Sequence, residues 1–410
     1  MNKNANRLLI IDDEPEICNL FSAVAERLGF DVRTTGEADE FIRLNQDFDP
    51  TVVILDLHMP QADGIELLRR LADDKCRAGI LVVSGADTRV LGSAERLGAN
   101  RGLNMLGAMQ KPVQLQELRG KLGDAKTVQR GFTQADLEQA IAKGQLLVLF
   151  LPKVAVHDNG DWSVEGSEAL VRWDHPELGI LMPDEFIPMA EETGLIKPLT
   201  AFVLNETVTQ MRWWCDLGLD INVAVNVGAQ LLDDLEFPDR VSDVLAQHGV
   251  ESSKLILEIT ETAAMGDRQT SMDVLTRLRL KGIELAIDDF GTGYSSLKQL
   301  FYMPFSELKI DASFVLEVAE SHEARTMVET MVQLAHNLGM SACCEGVETQ
   351  EIWDFVASVN CDKVQGFLIS RPIDSDSLVN LVREWQAAGR TRKIIDVASE
   401  RRSRSVVTAE

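Results

Sequence analysis

The sequence predicts an α/β protein in two parts, a doubly wound parallel sheet followed by a TIM-like (β/α)8 barrel. Three observations predict it. Short apolar runs alternate with amphipathic helical stretches along most of the chain, the pattern of strands that pack against crossover helices. After position 145, about eight such apolar runs recur within some 240 residues, which is the strand count and spacing of a barrel. A length of 410 residues with 45% apolar composition exceeds one ordinary domain and suffices for two cores.

Taken in order, LLIID (8–12) reads as the first strand, and Ile17, Leu20, Phe21, Val24 and Leu28 follow at helical spacing. TVVILD (51–56) and GILVVS (79–84) are two further apolar strands. A weakly apolar fourth precedes Lys111-Pro112, and QLQELRGKL (114–122) closes the first domain as a helix. That domain is expected over 6–122. The run GDAKTVQRGFT has no periodicity and places a linker at 123–134. DLEQAIAKG (136–144) opens a new helix with glycine at its end. The strands LLVLFLPKV, SEALVRW, INVAVN, LILEIT, ELAIDD, ELKID, SACCEG and KVQGFL then build the barrel, expected over 135–388. Residues 389–410 lose pattern and gain Arg and Ser, as in a solvated tail.

Charge narrows the function. The net charge is −25, and the excess falls in the barrel region rather than at either end. So acidic a surface argues against duplex DNA as a direct partner, because phosphate binding to a duplex wants a basic face. A phosphate ligand in such a barrel calls for cations between it and the carboxylates. The six cysteines show neither a CxxC pair nor zinc spacing, so they read as reduced thiols. Neither a signal peptide nor a membrane span of roughly 20 apolar residues is evident, and the expected location is cytoplasmic.

Asp12 and Asp13 end the first strand and Asp56 ends another, at the edge where ligands bind in doubly wound sheets. Carboxylates converging there repel one another unless a divalent cation joins them, and oxygen-only ligands suit Mg2+. Ser84 and Lys111, also at strand ends, supply a hydroxyl and an ammonium for a phosphoryl group. Any one of these residues is an ordinary strand-end polar group; five in this order point to phosphoryl chemistry. Residues 6–122 resemble the receiver domains of two-component response regulators, which have a flavodoxin-like fold. The resemblance implies that Asp56 accepts phosphate, that Asp12, Asp13 and Asp56 hold one Mg2+, and that Ser84 and Lys111 form the switch pair. Receivers usually carry an aromatic three residues before the lysine; this chain has Ala108.

In the barrel, polar residues end or interrupt the apolar runs: Glu168, Asn226, Glu258, Asp288 with Asp289, Lys309, Glu345 and Gln365. On one rim such a set is costly unless cations neutralise it, and carboxylates shared between two hard metals suit phosphodiester hydrolysis. SEALVRW (167–173), VAVNV (223–227), LEITET (257–262), IDDFGTGYSSL (287–297), LKID (308–311), CEGVE (344–348) and VQGF (364–367) resemble, in order, the motifs of the EAL family of cyclic di-GMP phosphodiesterases. The resemblance covers roughly 135–385. It implies two Mg2+ or Mn2+ ions, one held by Glu168, Asn226, Glu258 and Asp288, the other by Asp288, Asp289 and Glu345. It further implies that Lys309 and Glu345 activate the attacking water, with Glu168 also catalytic, and that Arg172 and Gln365 contact the dinucleotide. Glu261 would restrain the loop containing Gly291, Thr292 and Gly293. The implied reaction is in-line attack of water on one phosphodiester bond, giving linear pGpG. Two positions depart from the family: Phe150-Leu151-Pro152 stands where Tyr-Gln-Pro is usual, and Gly228 replaces a serine.

The resulting expectation is a response regulator whose output is cyclic di-GMP hydrolysis, controlled by phosphorylation of Asp56. The alternative is a barrel that binds cyclic di-GMP without cleaving it and acts through protein contacts. Implied partners are a histidine kinase or phosphotransfer protein and a second copy of the chain, as homodimer or tetramer.

Overall fold

In the computed structural model the chain forms two compact units, Met1–Gly131 and Phe132–Glu410. The structure describes residues 6–59, 62–76, 78–113, 115, 118–122, 132–156, 162–264, 268–292 and 297–387. Most of the expected linker, the C-terminal tail and Gly293 lie outside the described residues.

The first unit is a five-stranded parallel sheet built from β1 (Arg7–Ile11), β2 (Asp31–Thr35), β3 (Val52–Asp56), β4 (Gly79–Ser84) and β5 (Asn104–Gln110), in the order β2-β1-β3-β4-β5. This is the flavodoxin-like order. Buried residues alternate between two cores on opposite faces of the sheet. Leu9, Ile11, Val53 and Leu55 join one, and Leu8, Ile10, Val52 and Ile54 the other. Strand β2 was not legible in the sequence. DVRTT lies at the sheet edge with only Thr35 buried, so it carries no apolar run. Helices Pro15–Arg27, Ala38–Phe48, Gly64–Asp73 and Thr88–Ala99 alternate with the strands. Asp63 and Asp87 cap the last two by accepting backbone N–H bonds from Ile65 and Val90.

The second unit is a closed eight-stranded barrel: β6 (Leu146–Val156), β7 (Trp162–His175), β8 (Asn222–Asn226), β9 (Leu255–Thr260), β10 (Glu284–Phe290), β11 (Glu307–Ile310), β12 (Ser341–Cys344) and β13 (Lys363–Gln365). Strands β7 to β13 run parallel, but β6 runs antiparallel to both its neighbours. A TIM barrel has all its strands parallel, and β6 departs from that. Only five residues separate β6 from β7, and a parallel pair needs a crossover of a dozen or more.

Helices wrap the outside, where Val223, Val225, Leu255, Leu257, Leu285, Ile287, Leu308 and Ile310 pack in the main core. Among the described residues, the apolar cluster inside the barrel is small, made of Ala224, Ile256 and Ala286. Polar side chains occupy much of the remaining interior. Among the described residues no helix is long and apolar enough to cross a membrane, and the six cysteines are unpaired.

Candidate active site

At the carboxyl edge of the first sheet, the buried side chains of Asp12 and Asp56 meet Lys111. Its Nζ lies 2.7 Å from Asp56 Oδ2, 2.9 Å from Asp12 Oδ2 and 3.1 Å from Glu14 Oε1. Exposed Asp13 completes a trio with Asp12 and Asp56 whose ligand oxygens lie within 4.8 Å of one another. Burial pushes the Asp12 carboxyl up, while hydrogen bonds from Lys111 and the Glu14 backbone oppose it. Burial also disfavours the Lys111 charge, but its three carboxylate partners outweigh that and hold it protonated. Ser84, fully buried, accepts the Ala86 backbone N–H at 3.2 Å. Ala108 lies in β5 opposite Val82. Glu14, as a third partner of Lys111, was not read from the sequence.

In the barrel, period-two alternation turns six consecutive parallel strands to one purpose. Asn226, Glu258, Asp288, Lys309, Glu345 and Gln365 stand two residues beyond Ala224, Ile256, Ala286, Glu307, Cys343 and Lys363 respectively. Glu168 on β7 joins the upper set. Lys309, 1% exposed, is the hub: its Nζ lies 2.7 Å from Glu345 Oε1, 2.8 Å from Glu258 Oε2, 2.9 Å from Asp288 Oδ1 and 3.5 Å from Glu168 Oε2. Gln365 Nε2 donates to Glu168 Oε2 at 2.8 Å and to Glu345 Oε1 at 3.0 Å, and Asn226 Nδ2 donates to Glu168 Oε1 at 2.7 Å.

Asp288 and Asp289 are neighbours on one strand, so a regular pleat would send their side chains to opposite faces. A register shift between Ile287 and Phe290 and a left-handed backbone at Asp289 (φ 54°) break the pleat. In consequence oxygens of Asp288, Asp289 and Glu345 all lie within 4.8 Å of one another. Gly291 follows with φ 102°, and a Cβ there would stand 2.6 Å from Met331 Cε. Its N–H donates to Glu261 Oε2 at 2.9 Å, and Thr292 Oγ1 donates to the Asp289 carbonyl at 2.8 Å.

The electrostatics follow from burial of like charges. Burial disfavours the Lys309 charge, yet the carboxylates, led by Glu168 and Glu258, hold it well above its ordinary range. Burial pushes Glu345 up to about 7 against the pull of Lys309, with Asp288 and Glu168 adding to the rise. Burial with Asp288 and Asp311 pushes Asp289 up to about 6. Burial with Glu168 raises Glu258, and the two lysines facing it oppose that rise.

Buried Arg172 donates to the Val171 carbonyl at 2.8 Å. Leu151 on β6 lies directly opposite Glu168 on β7. Gly228 has a neighbour where a side chain would go: a Cβ there would meet Ile196 Cγ1 at 2.8 Å. Three interior residues were missed in the sequence. Lys153, Glu307 and Lys363 form a linked charged set beneath the hub; a charge inside or at the start of a strand segment (LPKV, ELKI, KVQ) was the available signal.

A divalent cation fits this donor set. The oxygens are hard, several converge within ligand distance of one another, and buried Gln365 Oε1 has no hydrogen-bond partner among the described residues. Comparison with known proteins agrees with the architecture. Residues 134–372 match the model of the EAL domain, and residues 8–122 match that of the response regulator receiver domain. The bifunctional diguanylate cyclase/cyclic di-GMP phosphodiesterase MucR of Pseudomonas aeruginosa is 42% identical over 245 residues, 60% of this chain and 35% of MucR. The chain thus spans about a third of that relative. Cyclic di-GMP phosphodiesterase RocR of the same organism is 30% identical over 332 residues, 78% of this chain and 84% of RocR. The solved PaMucR phosphodiesterase in complex with c-di-GMP has a TM-score of 0.57 at 42% identity, covering 60% of this chain and 98% of that one. The chain belongs to the EAL domain family, with a response regulator receiver domain preceding its EAL domain.

Proposed function

We propose that the barrel hydrolyses cyclic di-GMP to linear pGpG with two Mg2+ or Mn2+ ions, under control of phosphorylation at Asp56. The observation that carries this is the Lys309 hub, an ammonium within 3.5 Å of four carboxylates brought from four strands. Glu168, Asn226, Glu258 and Asp288 would hold one cation; Asp288, Asp289 and Glu345 the other. Bound there, the cations would offset the acid cluster, acidify water and steady phosphate oxygens.

The chain's own groups divide the remaining work. Glu345 takes the proton of the attacking water on a carboxylate oxygen. Lys309 Nζ holds Glu345 and orients that water. Gln365, anchored by its Nε2 donors, keeps Oε1 free to accept from water or substrate. Arg172 would contact the dinucleotide. The water oxygen forms the new P–O bond as the P–O3′ bond breaks, and the leaving 3′ oxygen takes up a proton to become the 3′ hydroxyl of pGpG.

In the receiver, Asp56 accepts the phosphoryl group from a histidine kinase or phosphotransfer protein. Asp12, Asp13 and Asp56 would hold one Mg2+, and Lys111 and Ser84 would engage the new charge. The domain limits are placed at 6–122 and 135–388 and the location in the cytoplasm, with a homodimer or tetramer as the working assembly.

The test is turnover of cyclic di-GMP by the purified full chain with Mg2+ or Mn2+, products separated by chromatography, beside Glu168→Ala. pGpG from the wild type alone supports the reading. Binding without turnover would replace it with a cyclic di-GMP sensor. Asp56→Asn that still responds to a phosphoryl donor like the wild type would remove the regulatory part.

A further inference from the structure

Barrel interiors are ordinarily filled with layers of branched apolar side chains. Here the layer beneath the proposed catalytic groups is partly charged: Glu307 and Lys363 share it with Ala224, Ile256, Ala286 and Cys343. Lys153 is 3% exposed, and its Nζ lies 2.6 Å from Glu307 Oε1 and 3.3 Å from Glu258 Oε1. Glu307, equally buried, places its other oxygen, Oε2, 2.5 Å from Lys363 Nζ. The ammonium of Lys153 therefore has one close partner in Glu307, itself shared with Lys363, and a second in Glu258.

Space for this arrangement is made on three strands. Ala224 and Ala286 are the small residues two positions below Asn226 and Asp288, and Gly166 lies opposite Lys153 across the β6–β7 pair. Lys153 arrives on β6, which runs antiparallel to both its neighbours in the barrel. A buried ion pair is seldom more stabilising than apolar residues of the same volume, so fold stability alone does not account for a lysine here.

We propose that Lys153 is a positioning residue for Glu258 and thereby sets the affinity of the barrel for its divalent cations; this rests on the metal-dependent reading above. Glu258 is gripped on both oxygens, Oε1 by Lys153 and Oε2 by Lys309 at 2.8 Å. The two ammoniums fix the plane of the carboxylate and point it at the cluster. Glu307, itself bonded to Lys363 through its other oxygen, in turn holds Lys153. Partners that orient a metal ligand typically contribute about 10- to 100-fold in metal affinity.

The experiment is calorimetric titration of Mn2+ into the full chain stripped with chelator, with Mn2+ electron paramagnetic resonance as a second readout. Wild type is compared with Lys153→Met and with the double variant Lys153→Met/Glu307→Met. The double variant removes both charges together, so the result does not depend on a stranded Glu307, and a cooperative melt verifies folding of each. Folded variants are expected to bind Mn2+ about 10- to 100-fold more weakly. If they melt at lower temperature yet bind Mn2+ within about twofold of wild type, Lys153 supports only the fold and the inference fails while the phosphodiesterase reading stands. If wild type itself takes up no Mn2+ in the barrel, which titration of Glu168→Ala isolates from the receiver, both fail together.

Discussion

Glu261 accepts a hydrogen bond from the backbone N–H of Gly291, thirty residues further along the chain, at 2.9 Å. The bond ties the start of a short helix, Glu261–Ala264, to the segment that immediately follows the Asp288–Asp289 pair. Asp289 keeps a left-handed backbone there, and such a conformation persists only when its surroundings hold it. Glu261→Ala leaves that N–H without this acceptor, a loss of roughly 1–3 kcal/mol. We expect cyclic di-GMP turnover to fall by about tenfold or more, about 1.4 kcal/mol or more in barrier, with the fold retained. Glu261→Gln, which keeps a carbonyl acceptor, should recover most of the rate. Equal rates for Ala and Gln variants would show that the bond does not govern the site.

Lys309 is the cation that makes the acid cluster tolerable without metal. Lys309→Met should abolish turnover and, in chelator, destabilise the barrel by about 3–5 kcal/mol, the usual result of removing one partner of a buried ion pair. Mn2+ should restore much of the stability and none of the activity. Melting curves with chelator and with Mn2+ check this; a variant insensitive to Mn2+ would contradict it.

Glu307 gives a pH dependence whose sign is fixed. Burial raises its carboxyl, but Lys153 and Lys363 outweigh burial and bring it down to about 2 from an unfolded value of 4.5. A depressed carboxylate stabilises the fold fully above the unfolded value, and the contribution is lost as pH falls toward the folded value. The stability gap between wild type and Glu307→Gln should therefore be on the order of 3 kcal/mol at pH 7. It should begin to shrink below about pH 4.5 and close near pH 2. Urea titrations across that range measure it, and a gap independent of pH would be inconsistent with the ion-paired state.

Gly228 and Ile196 form a complementary pair, since a Cβ at 228 would sit 2.8 Å from Ile196 Cγ1. Gly228→Ser should cost about 1–3 kcal/mol through overpacking, and Ile196→Ala in the same chain should relieve most of it. A double-mutant cycle on melting stability reads the coupling directly. Additive effects would mean that the serine finds room elsewhere.

Much of this protein was legible in its sequence. The alternation of apolar runs and helical stretches specified a doubly wound domain and an eight-stranded barrel, because burial of strands against helices imposes that pattern. The residues ending those runs, from Asp12 to Lys111 and from Glu168 to Gln365, already named the two acid clusters. Edge strand β2 escaped notice because only one of its residues is buried. Tertiary structure alone decided three things. It reversed β6, because the two strands extend past their apolar runs and leave only five residues between them, too few for a parallel crossover. It broke the pleat at Asp289, so that adjacent aspartates reach one site although strand periodicity would separate them. And it paired Lys153 with Glu307 and Glu258, residues more than a hundred positions apart that meet only because the barrel closes. Periodicity is a local property readable along the chain; strand direction, bulges and ion pairs across a closed barrel arise from contacts that no local window of sequence contains.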